Sequence, residues 1–371
     1  MNAYSLICRL IGEKPEEWKK ILEEKRIRVK EDNGLCIMNY LPGSDFSDPV
    51  VQEARGIIID AANADVVCWP FRKFGNWFET YADEIDWRSA VIQEKIDGSI
   101  IKLYFWNGEW RWATNSMIDA GEASAETTGK KFSDMIRAAD NYADIPFSDL
   151  DKDRTYIFEL VSPETMIVIE YPYTRLFHTG TRNRMTGKEY DEDIGIVKPK
   201  VFGSGKDLEE YTKYVRTLNR DGTNPEYEGF VVVDKDWNRV KIKSPEYLAM
   251  HKLMNNGNMS ENRIIKAVFE KDNEIREIAM RCRSNRERWE NTEKGLIGLE
   301  EKINRYMAYA RGVYEEVLHD RKSFANAIKN DPLSHFGFAA AGNERTASEL
   351  LSMMSTQDIL RMLKKQEEGE I

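Results

Sequence analysis

A lysine, an aspartate and a glycine lie close together in Glu94-Lys95-Ile96-Asp97-Gly98-Ser99, directly before a strand-like run. A lysine amine is a nucleophile once it has lost its proton, so this segment is a candidate for covalent chemistry. The simpler alternative is a surface turn, because Asp-Gly is common turn chemistry and a lysine on a turn is ordinarily solvated. Charged residues elsewhere in the sequence distinguish a reactive lysine from a surface turn.

Charged residues in later strand-like runs favour the chemical interpretation. Glu159 lies within an apolar run, where an unpaired carboxylate is costly unless it lines a polar cleft. Glu228 precedes another apolar run, and Lys241 and Lys243 alternate with apolar residues in the run after it. Residues two apart on a strand share a face, so both ammonium groups point the same way. An anion between them would relieve their repulsion, although an exposed sheet face would also accommodate each feature taken singly.

In this order, these segments resemble the motifs of the covalent nucleotidyltransferase superfamily of ligases and capping enzymes. More narrowly, they resemble phage-type, tRNA-repairing single-strand RNA ligases. The resemblance covers about residues 37–250 and also includes EARGI (53–57), FRKFGN (71–76), FELVSP (158–163) and VKIKS (240–244). Superfamily members that seal DNA or cap mRNA typically carry a β-barrel after the last motif. Helical patterns follow here instead, which favours the RNA ligases.

The resemblance implies a role for each matching residue. Lys95 would attack the α-phosphate of ATP, while Lys241 and Lys243 would neutralise phosphates and lower the pKa of Lys95. Asp97 would act after adenylation, near the RNA ends. Glu228 and Asp97 would serve a Mg²⁺ site, which Mn²⁺ could also fill, directly or through water. The residues expected to bind the nucleotide or its phosphates are Glu94, Lys95, Arg55, Lys73, Glu159, Phe177, Glu228, Val231, Lys241 and Lys243.

Within that set, the resemblance implies different contacts. Glu159 would contact the ribose, and Phe177 and Val231 would pack on adenine. Arg55 and Lys73 would clamp the pyrophosphate or the 5′-phosphate of the RNA. Gly98, by contrast, is interpreted from its lack of a side chain, which lets backbone approach a nucleotide closely.

The hydrophobic periodicity changes near residue 245, which predicts an α+β chain of two domains. The β-rich runs lie at 56–60, 99–106, 109–115, 155–161, 166–171 and 229–244, with a hairpin at Asn107-Gly108. Helical patterns lie at 122–143, 206–219, 246–281, 285–311, 312–329 and 346–366. We therefore predict an antiparallel-rich adenylyltransferase domain over residues 1–245, which binds ATP. An all-α domain for RNA recognition is predicted over 246–371.

Composition limits the remaining possibilities. The 371 residues carry a formal net charge of -10, which argues against a histone-like, non-specific nucleic-acid binder. We expect no membrane span, because no run approaches about 18 uncharged apolar residues, and no secretory signal. Four scattered cysteines indicate reduced thiols and no zinc site. A cytoplasmic location is expected, in the host if a phage encodes the protein.

The sequence as a whole predicts an ATP-dependent RNA ligase. It would join a 5′-phosphate to a 3′-hydroxyl through lysyl-AMP and adenylated-RNA intermediates, as a monomer acting on single-stranded RNA or cleaved tRNA in RNA repair. One alternative is a GTP-dependent capping guanylyltransferase, against which the lack of strand patterns after residue 245 counts. The other is a catalytically inactive RNA-binding relative, against which intact Lys95, Glu159 and Glu228 count.

Overall fold

The structure is a computed structural model that describes most of the chain. The residues outside the description are 1, 3, 126–127, 205–209, 211–226, 245–246, 249–250, 252–258, 271–274, 277–278, 281–282 and 343–344. The chain divides into two compact units, Met1–Lys252 and Leu253–Ile371. This division lies a few residues beyond the predicted boundary. The functions assigned to the two regions stay predictions.

Three antiparallel sheets build the first unit, in agreement with the predicted α+β class. The first sheet has the order β1 (Ile27–Asp32), β2 (Leu35–Tyr40), β3 (Arg55–Asp60) and β4 (Val66–Cys68). The strands of the second sheet, in chain order, are β6 (Ser99–Trp106), β7 (Glu109–Thr114), β8 (Arg154–Val161), β9 (Arg175–Asn183) and β10 (Glu189–Tyr190). Those of the third sheet are β5 (Val91–Glu94), β11 (Val201–Ser204), β12 (Gly229–Val233) and β13 (Arg239–Lys243). The strand orders are β10-β9-β8-β6-β7 and β11-β5-β12-β13.

Short helices accompany the sheets of the first unit. They are α1 (Leu6–Glu13), α2 (Trp18–Glu24), α3 (Pro49–Glu53) and α4 (Phe132–Arg137). The side chain of Ser5 accepts a hydrogen bond from the Cys8 amide and so caps α1. Ile7, Leu22 and Val51 from the first three helices are buried with the apolar face of the first sheet. These helices therefore cover the apolar face of the first sheet.

Helices make up the described part of the second unit. They are α5 (Glu261–Glu270), α6 (Arg283–Glu316), α7 (Arg321–Ile328), α8 (Ser334–Gly342), α9 (Ala347–Ser352) and α10 (Thr356–Glu367). The apolar positions of α6 recur at helical spacing, and Leu299, Ile303 and Met307 are buried against Phe336 and Leu351. The predicted all-helical character is confirmed for the described residues.

Some predicted elements differ from the structure. Residues 166–171 do not form a strand, because their amides are used elsewhere, as described below. The helix predicted over 122–143 is reduced to α4. The predicted break between residues 311 and 312 is wrong, since α6 continues through Gly312; one glycine costs only about 1 kcal/mol in a long packed helix. The helix predicted at 206–219 lies outside the described residues apart from residue 210.

The chain crosses from the third sheet to the second sheet at residues 95–98. The strand β5 ends at Glu94, and β6 begins at Ser99. The Lys95 amide still donates to the Gly229 carbonyl at 2.9 Å, so this connection starts as an extension of the β5–β12 pairing. The Lys95–Gly98 segment therefore connects the third sheet to the second sheet.

Gly98 packs against the backbone of the neighbouring strand β8. A β-carbon on this residue would lie 2.5 Å from the Leu160 carbonyl oxygen and 3.0 Å from the Glu159 Cγ atom. The structure thus gives a structural reason for glycine here, whereas the sequence suggested close approach to a nucleotide.

Replacing Gly98 by alanine is expected to destabilise the first unit by about 1–3 kcal/mol, because the strand carbonyl cannot move without breaking its ladder. Chemical denaturation of the full chain measures this. Gly312→Ala, at a helical position with no atom within 4 Å of the added carbon, is the control and should be neutral or stabilising. Equal stability of Gly98→Ala and the wild type would contradict the close packing.

Candidate active site

A cavity of about 310 Å³ lies where the second and third sheets face each other. This volume is at the lower end of the range typical of small-molecule sites. Lys95 is part of its wall, and the lining residues come from these two sheets, from Arg55 at the start of β3 in the first sheet, and from neighbouring loops. They are Arg55, Phe71, Phe74, Gln93, Glu94, Lys95, Ile96, Gly98, Ile100, Glu159, Thr179, Pro199, Val231, Arg239, Lys241 and Lys243.

A buried carboxylate links two of the predicted lysines. The Lys95 Nζ atom lies 2.6 Å from one Glu228 oxygen, and the Lys243 Nζ atom lies 2.8 Å from the other. The Glu228 side chain is only 2% exposed, so both ammonium groups are needed to keep its charge stable in the interior. Residues separated by 133 positions in the sequence thereby meet at one point.

The expected lowering of the pKa of Lys95 is not what this arrangement produces. Burial acts to lower that pKa, but the carboxylates of Glu228, Glu159 and Asp97 outweigh burial and raise the pKa above its usual value. The prediction counted the nearby cations and missed the ion pair with Glu228. In this state Lys95 is a protonated, held ammonium group.

Lys241 is a lysine of the cavity wall whose pKa is strongly lowered. Burial is the main cause, and the charges of Lys73 and Arg55 act in the same direction, giving a pKa of about 7. Its Nζ atom lies 5.2 Å from the centroid of the Phe74 ring. Among the described residues it forms no ion pair. Glu79 lies close enough for Lys241 to lower the pKa of its carboxyl group. A cation in a cavity that has no direct ion pair is a candidate to bind an anion.

Glu159 lies in the cavity wall on β8. Burial raises the pKa of its carboxyl group to about 7, although the neighbouring Lys95 acts in the opposite direction. Glu94 also lines the cavity, and burial likewise raises its pKa. A protonated carboxyl group can donate a hydrogen bond to a sugar hydroxyl, and an ionised one can accept a hydrogen bond from it.

Asp97 is buried, does not line the cavity, and accepts hydrogen bonds with both of its carboxylate oxygens. One of its carboxylate oxygens accepts hydrogen bonds from the Val168 and Ile169 amides, each at 2.9 Å. The other oxygen accepts one from the Tyr247 hydroxyl at 2.7 Å. These bonds explain why residues 166–171 form no strand, since two of their amides serve Asp97. Its predicted role at the RNA ends stays a prediction.

The predicted phosphate clamps are differently placed. Arg55 lines the cavity, where its Nη1 atom is buried without a hydrogen-bond partner. Lys73 does not line the cavity; its Nζ atom lies 5.0 Å from the Phe46 ring centroid and 5.5 Å from that of Tyr40. It nevertheless lies close enough to lower the pKa of Lys241. Both cations therefore contribute to one positive region.

The two predicted adenine contacts are also unequal. Val231 lines the cavity on β12. Phe177 lies on β9 directly opposite Glu159 in the strand register, but it is not part of the cavity wall.

The carboxylates present do not form a ready metal site. No cluster of three or more His, Cys, Asp or Glu suited to a metal ion occurs in the described residues. Both predicted ligands are occupied, Glu228 by two ammonium groups and Asp97 by three hydrogen-bond donors. Mg²⁺ is often held by only one or two carboxylates together with phosphate oxygens, so the prediction is kept, but no step below depends on a metal.

Sequence reasoning missed Arg239 and the aromatic floor of the cavity. Phe71 and Phe74 line the cavity beneath the cations, with the Arg239 Cζ atom 4.1 Å from the Phe71 ring centroid. The signal for Arg239 was present, because alternation on a strand places it on the same face as Lys241 and Lys243. The aromatic pair had no local signal, since it lies in a segment without regular structure.

The second unit also contains closely spaced arginines, at positions 281, 283, 286 and 288, which give no comparable site among the described residues. Arg281 and the side chain of Arg283 lie outside the description. Arg286 donates twice to the Met280 carbonyl, and Arg288 lies 4.0 Å from Glu261. The described members thus hold their own unit together.

Comparisons with known proteins relate the chain to RNA ligases. It is 30% identical over 259 residues to "Putative bifunctional polynucleotide kinase/RNA ligase" of Autographa californica nuclear polyhedrosis virus, covering 63% of the chain and 36% of that protein. It is 28% identical over 256 residues to "Putative RNA ligase" of Thermovibrio ammonificans, covering 63% and 62%. The "RNA ligase" of Rhodothermus phage RM378 is 26% identical over 305 residues, covering 65% and 69%.

The chain therefore spans between about a third and two thirds of the length of the first two relatives. No protein-family model matches it. Among solved structures, "Archaeal ATP-dependent RNA ligase - form 1" aligns with 78% of the chain and 79% of its own at 14% identity, with a TM-score of 0.44. The resemblance to RNA ligases inferred from the motifs is confirmed by these homologues. Phage-type tRNA repair stays a prediction.

The described helices offer no candidate for crossing a membrane, since none combines the necessary length with an apolar composition.

One lysine side chain is expected to titrate with a midpoint of about pH 7, because buried Lys241 lies among like charges. Nuclear magnetic resonance of lysine-labelled protein would show this midpoint, and Lys241→Met should remove it. Lys235→Met, at a position whose side chain is 64% exposed, serves as the control and should leave it in place. Absence of any midpoint below pH 9 that disappears in Lys241→Met would contradict this environment for Lys241, whereas a midpoint of about pH 8 that persists in the variant belongs to buried Lys102.

Asp97→Ala is expected to cost about 2–4 kcal/mol of stability, because two amides and the Tyr247 hydroxyl lose their buried acceptor. Asp97→Asn keeps one acceptor oxygen for the amides and offers its NH₂ group to Tyr247, so it should fold nearly as well. Denaturant titration measures both. Equal losses in the two variants would show that the carboxylate charge, and not the hydrogen bonds, stabilises this region.

Proposed function

We propose that the protein is an ATP-dependent RNA ligase that joins an RNA 5′-phosphate to an RNA 3′-hydroxyl. The observation that carries the proposal is the position of Lys95, with its amine in the wall of a cavity that also holds Arg55, Lys241 and Lys243. Once it has lost its proton, an amine at this position beside several cations would suit a lysine that attacks a phosphate of a nucleotide. The RNA ligase homologues support the same class.

In the first step, the Lys95 amine attacks the α-phosphorus of ATP. A P–N bond forms, the bond from that phosphorus to the bridging oxygen of the pyrophosphate breaks, and pyrophosphate leaves with the electron pair. The amine must give up a proton, and the Glu228 carboxylate at 2.6 Å is the nearest acceptor among the described residues. Lys241 and Lys243 would stabilise the negative charge that develops on the phosphates.

The second and third steps pass the adenylate to RNA and seal the strand. An oxygen of the RNA 5′-phosphate attacks the AMP phosphorus, the P–N bond breaks, and the lysine nitrogen takes back the proton that Glu228 accepted. The RNA 3′-hydroxyl then attacks the 5′-phosphorus and gives its proton to solvent. The phosphodiester forms, the bond from that phosphorus to the bridging oxygen of the adenylate breaks, and AMP leaves with the electron pair. Arg55 and Lys73 are proposed to bind the RNA 5′-phosphate, because both contribute positive charge beside the cavity.

Several finer features belong to the same proposal. ATP would act with Mg²⁺ or Mn²⁺, which neutralises phosphate charge when bound. The substrate would be single-stranded RNA or a cleaved tRNA, recognised with the help of the helical unit, in RNA repair. The protein would act as a monomer in the cytoplasm, or in that of the host for a phage protein.

Incubation with α-labelled ATP is expected to label the wild-type chain and add the mass of one AMP group. Lys95→Ala should abolish the label, and so should Lys95→Arg, which keeps a cation beside Glu228 but has no neutral amine at pH 7. Lys235→Ala, on an exposed turn, should be labelled like the wild type. Labelling of Lys95→Arg would remove Lys95 from the nucleophile role.

The same preparation tests the class of reaction. A 5′-phosphorylated RNA oligomer should be circularised or joined with ATP, and should remain unchanged with GTP or without nucleotide. Labelling by GTP alone would favour the capping alternative. A wild-type chain that takes no label from either nucleotide would favour an inactive RNA-binding protein.

A further inference from the structure

We propose that Arg239 binds the terminal phosphates of the nucleotide triphosphate, which leave as pyrophosphate, and so is a further substrate-binding residue of the site. The inference rests on the proposed function. It concerns a residue that belongs to none of the motifs used above to assign roles. Three observations carry it: its position along β13, the state of its guanidinium group and the charge around it.

The strand register sets the position of Arg239 relative to Lys95. On β13, Lys243 lies opposite Gly229, whose carbonyl accepts from the Lys95 amide. Arg239 lies opposite Val233, which in turn lies opposite Val91 on β5, four residues before Lys95. At a rise of about 3.3 Å per residue, the cavity face of β13 therefore extends about 13 Å from the lysine pair to Arg239.

Lys243, Lys241 and Arg239 thus form a row of cations on one face of one strand. All three line the cavity, while the alternate residues Val240 and Ile242 are buried in the core of the third sheet. A nucleophile attacks phosphorus in line with the leaving group, so pyrophosphate departs away from the attacking amine. With the α-phosphate beside Lys95 and Lys243, the leaving phosphates point along this row toward Arg239.

In the described part of the chain, the guanidinium group of Arg239 is held in place through its Nη1 atom alone, so its other nitrogen atoms can still donate hydrogen bonds. Its side chain is 8% exposed, and its Nη1 atom lies 2.6 Å from the Glu189 carboxylate. The same atom donates to the Trp237 carbonyl at 3.3 Å, and the group lies over the Phe71 ring. Within the described residues, Nε and Nη2 have no hydrogen-bond partner. Arginine can therefore keep its ion pair and still donate two parallel hydrogen bonds to a phosphate.

The charge around Arg239 requires an anion. Arg55, Lys241 and Arg239 all lie over the Phe71–Phe74 floor, with the Arg55 Cζ atom 5.2 Å from the Phe74 ring centroid. Arg55 has a buried Nη1 atom without a partner, and Lys241 forms no ion pair among the described residues. Among the described residues, Glu189 is the one carboxylate that forms an ion pair with this group of three cations, while Glu159 and Glu79 act on Arg55 and Lys241 from farther away. Terminal phosphates would supply the missing negative charge.

The test uses the full-length chain with Arg239→Gln. Single-turnover adenylation of Lys95 by ATP is expected to fall by about tenfold or more, the loss typical of one charge-assisted contact. Sealing of a pre-adenylated RNA oligomer, which involves no triphosphate, should stay within about twofold of wild type. Arg239→Lys should recover part of the adenylation, since it restores the charge without the paired donors. An equal loss in both reactions, or a loss in neither, would overturn the proposal.

Arg154→Gln is the matched control. Arg154 also pairs with a glutamate, Glu192, at 2.8 Å and lies over the ring of Tyr190, but it is not part of the cavity wall. It should leave both reactions unchanged. A loss of adenylation equal to that of Arg239→Gln would show that removing any such arginine from the sheets is enough, which would sink the assignment.

Binding of inorganic pyrophosphate separates this proposal from the proposed function. Calorimetry with pyrophosphate alone should show about tenfold weaker binding to Arg239→Gln than to wild type and Arg154→Gln. If the wild-type chain takes no AMP from ATP, the ligase function fails, and this measurement alone decides on Arg239. Equal affinity in the three proteins would then reject the phosphate contact.

Discussion

The buried carboxylate of Glu228 is the interaction on which the candidate site depends. It is almost inaccessible to water, and Lys95 and Lys243 each give it an ion pair. Those two pairs fix the amine of the proposed nucleophile against one end of β13. Without these two ion pairs, the long side chains of Lys95 and Lys243 would be free to adopt many rotamers, and the cavity wall would lose its fixed shape. Lys95, the proposed nucleophile, is thus held as an ammonium group in a fixed position, next to the carboxylate that is proposed to take its proton.

Around this ion pair, the cavity separates charge along its length. Carboxylates lie near Lys95, whereas the far part of β13 and the Phe71–Phe74 floor hold cations with little compensation. Such a distribution orients an elongated anion with one end toward the nucleophile. Burial is the main cause of the lowered pKa of Lys241 and the neighbouring cations add to it, so binding of a phosphate would raise that pKa again. Recognition and transition-state stabilisation would therefore use the same side chains, as electrostatic catalysis requires.

Local patterns predicted the regular part of the fold well. Strands β6, β7 and β8 and the hairpin at Asn107-Gly108 follow from alternation and from two residues with positive φ, 48° and 85°. Local patterns predicted the wrong element where a residue distant in the sequence binds the backbone amides. The apolar run at 166–171 reads as a strand, yet the Asp97 carboxylate takes two of its amides. Strands β1, β5 and β9 gave too little local signal, because their positions depend on the partners they pair with.

The sequence by itself determined the chemistry available: a lysine just before a strand, carboxylates on or beside apolar strands, and cations that share one face of β13 because strand side chains alternate. It also determined the relation to RNA ligases, since motifs and their order are properties of the chain alone. Only the tertiary structure decided which charges meet. That Glu228 pairs with Lys95, that Asp97 is enclosed by hydrogen bonds, and that Arg239 completes the row of cations all depend on contacts between distant segments. The pKa of each group follows from burial and neighbours, which no local pattern encodes.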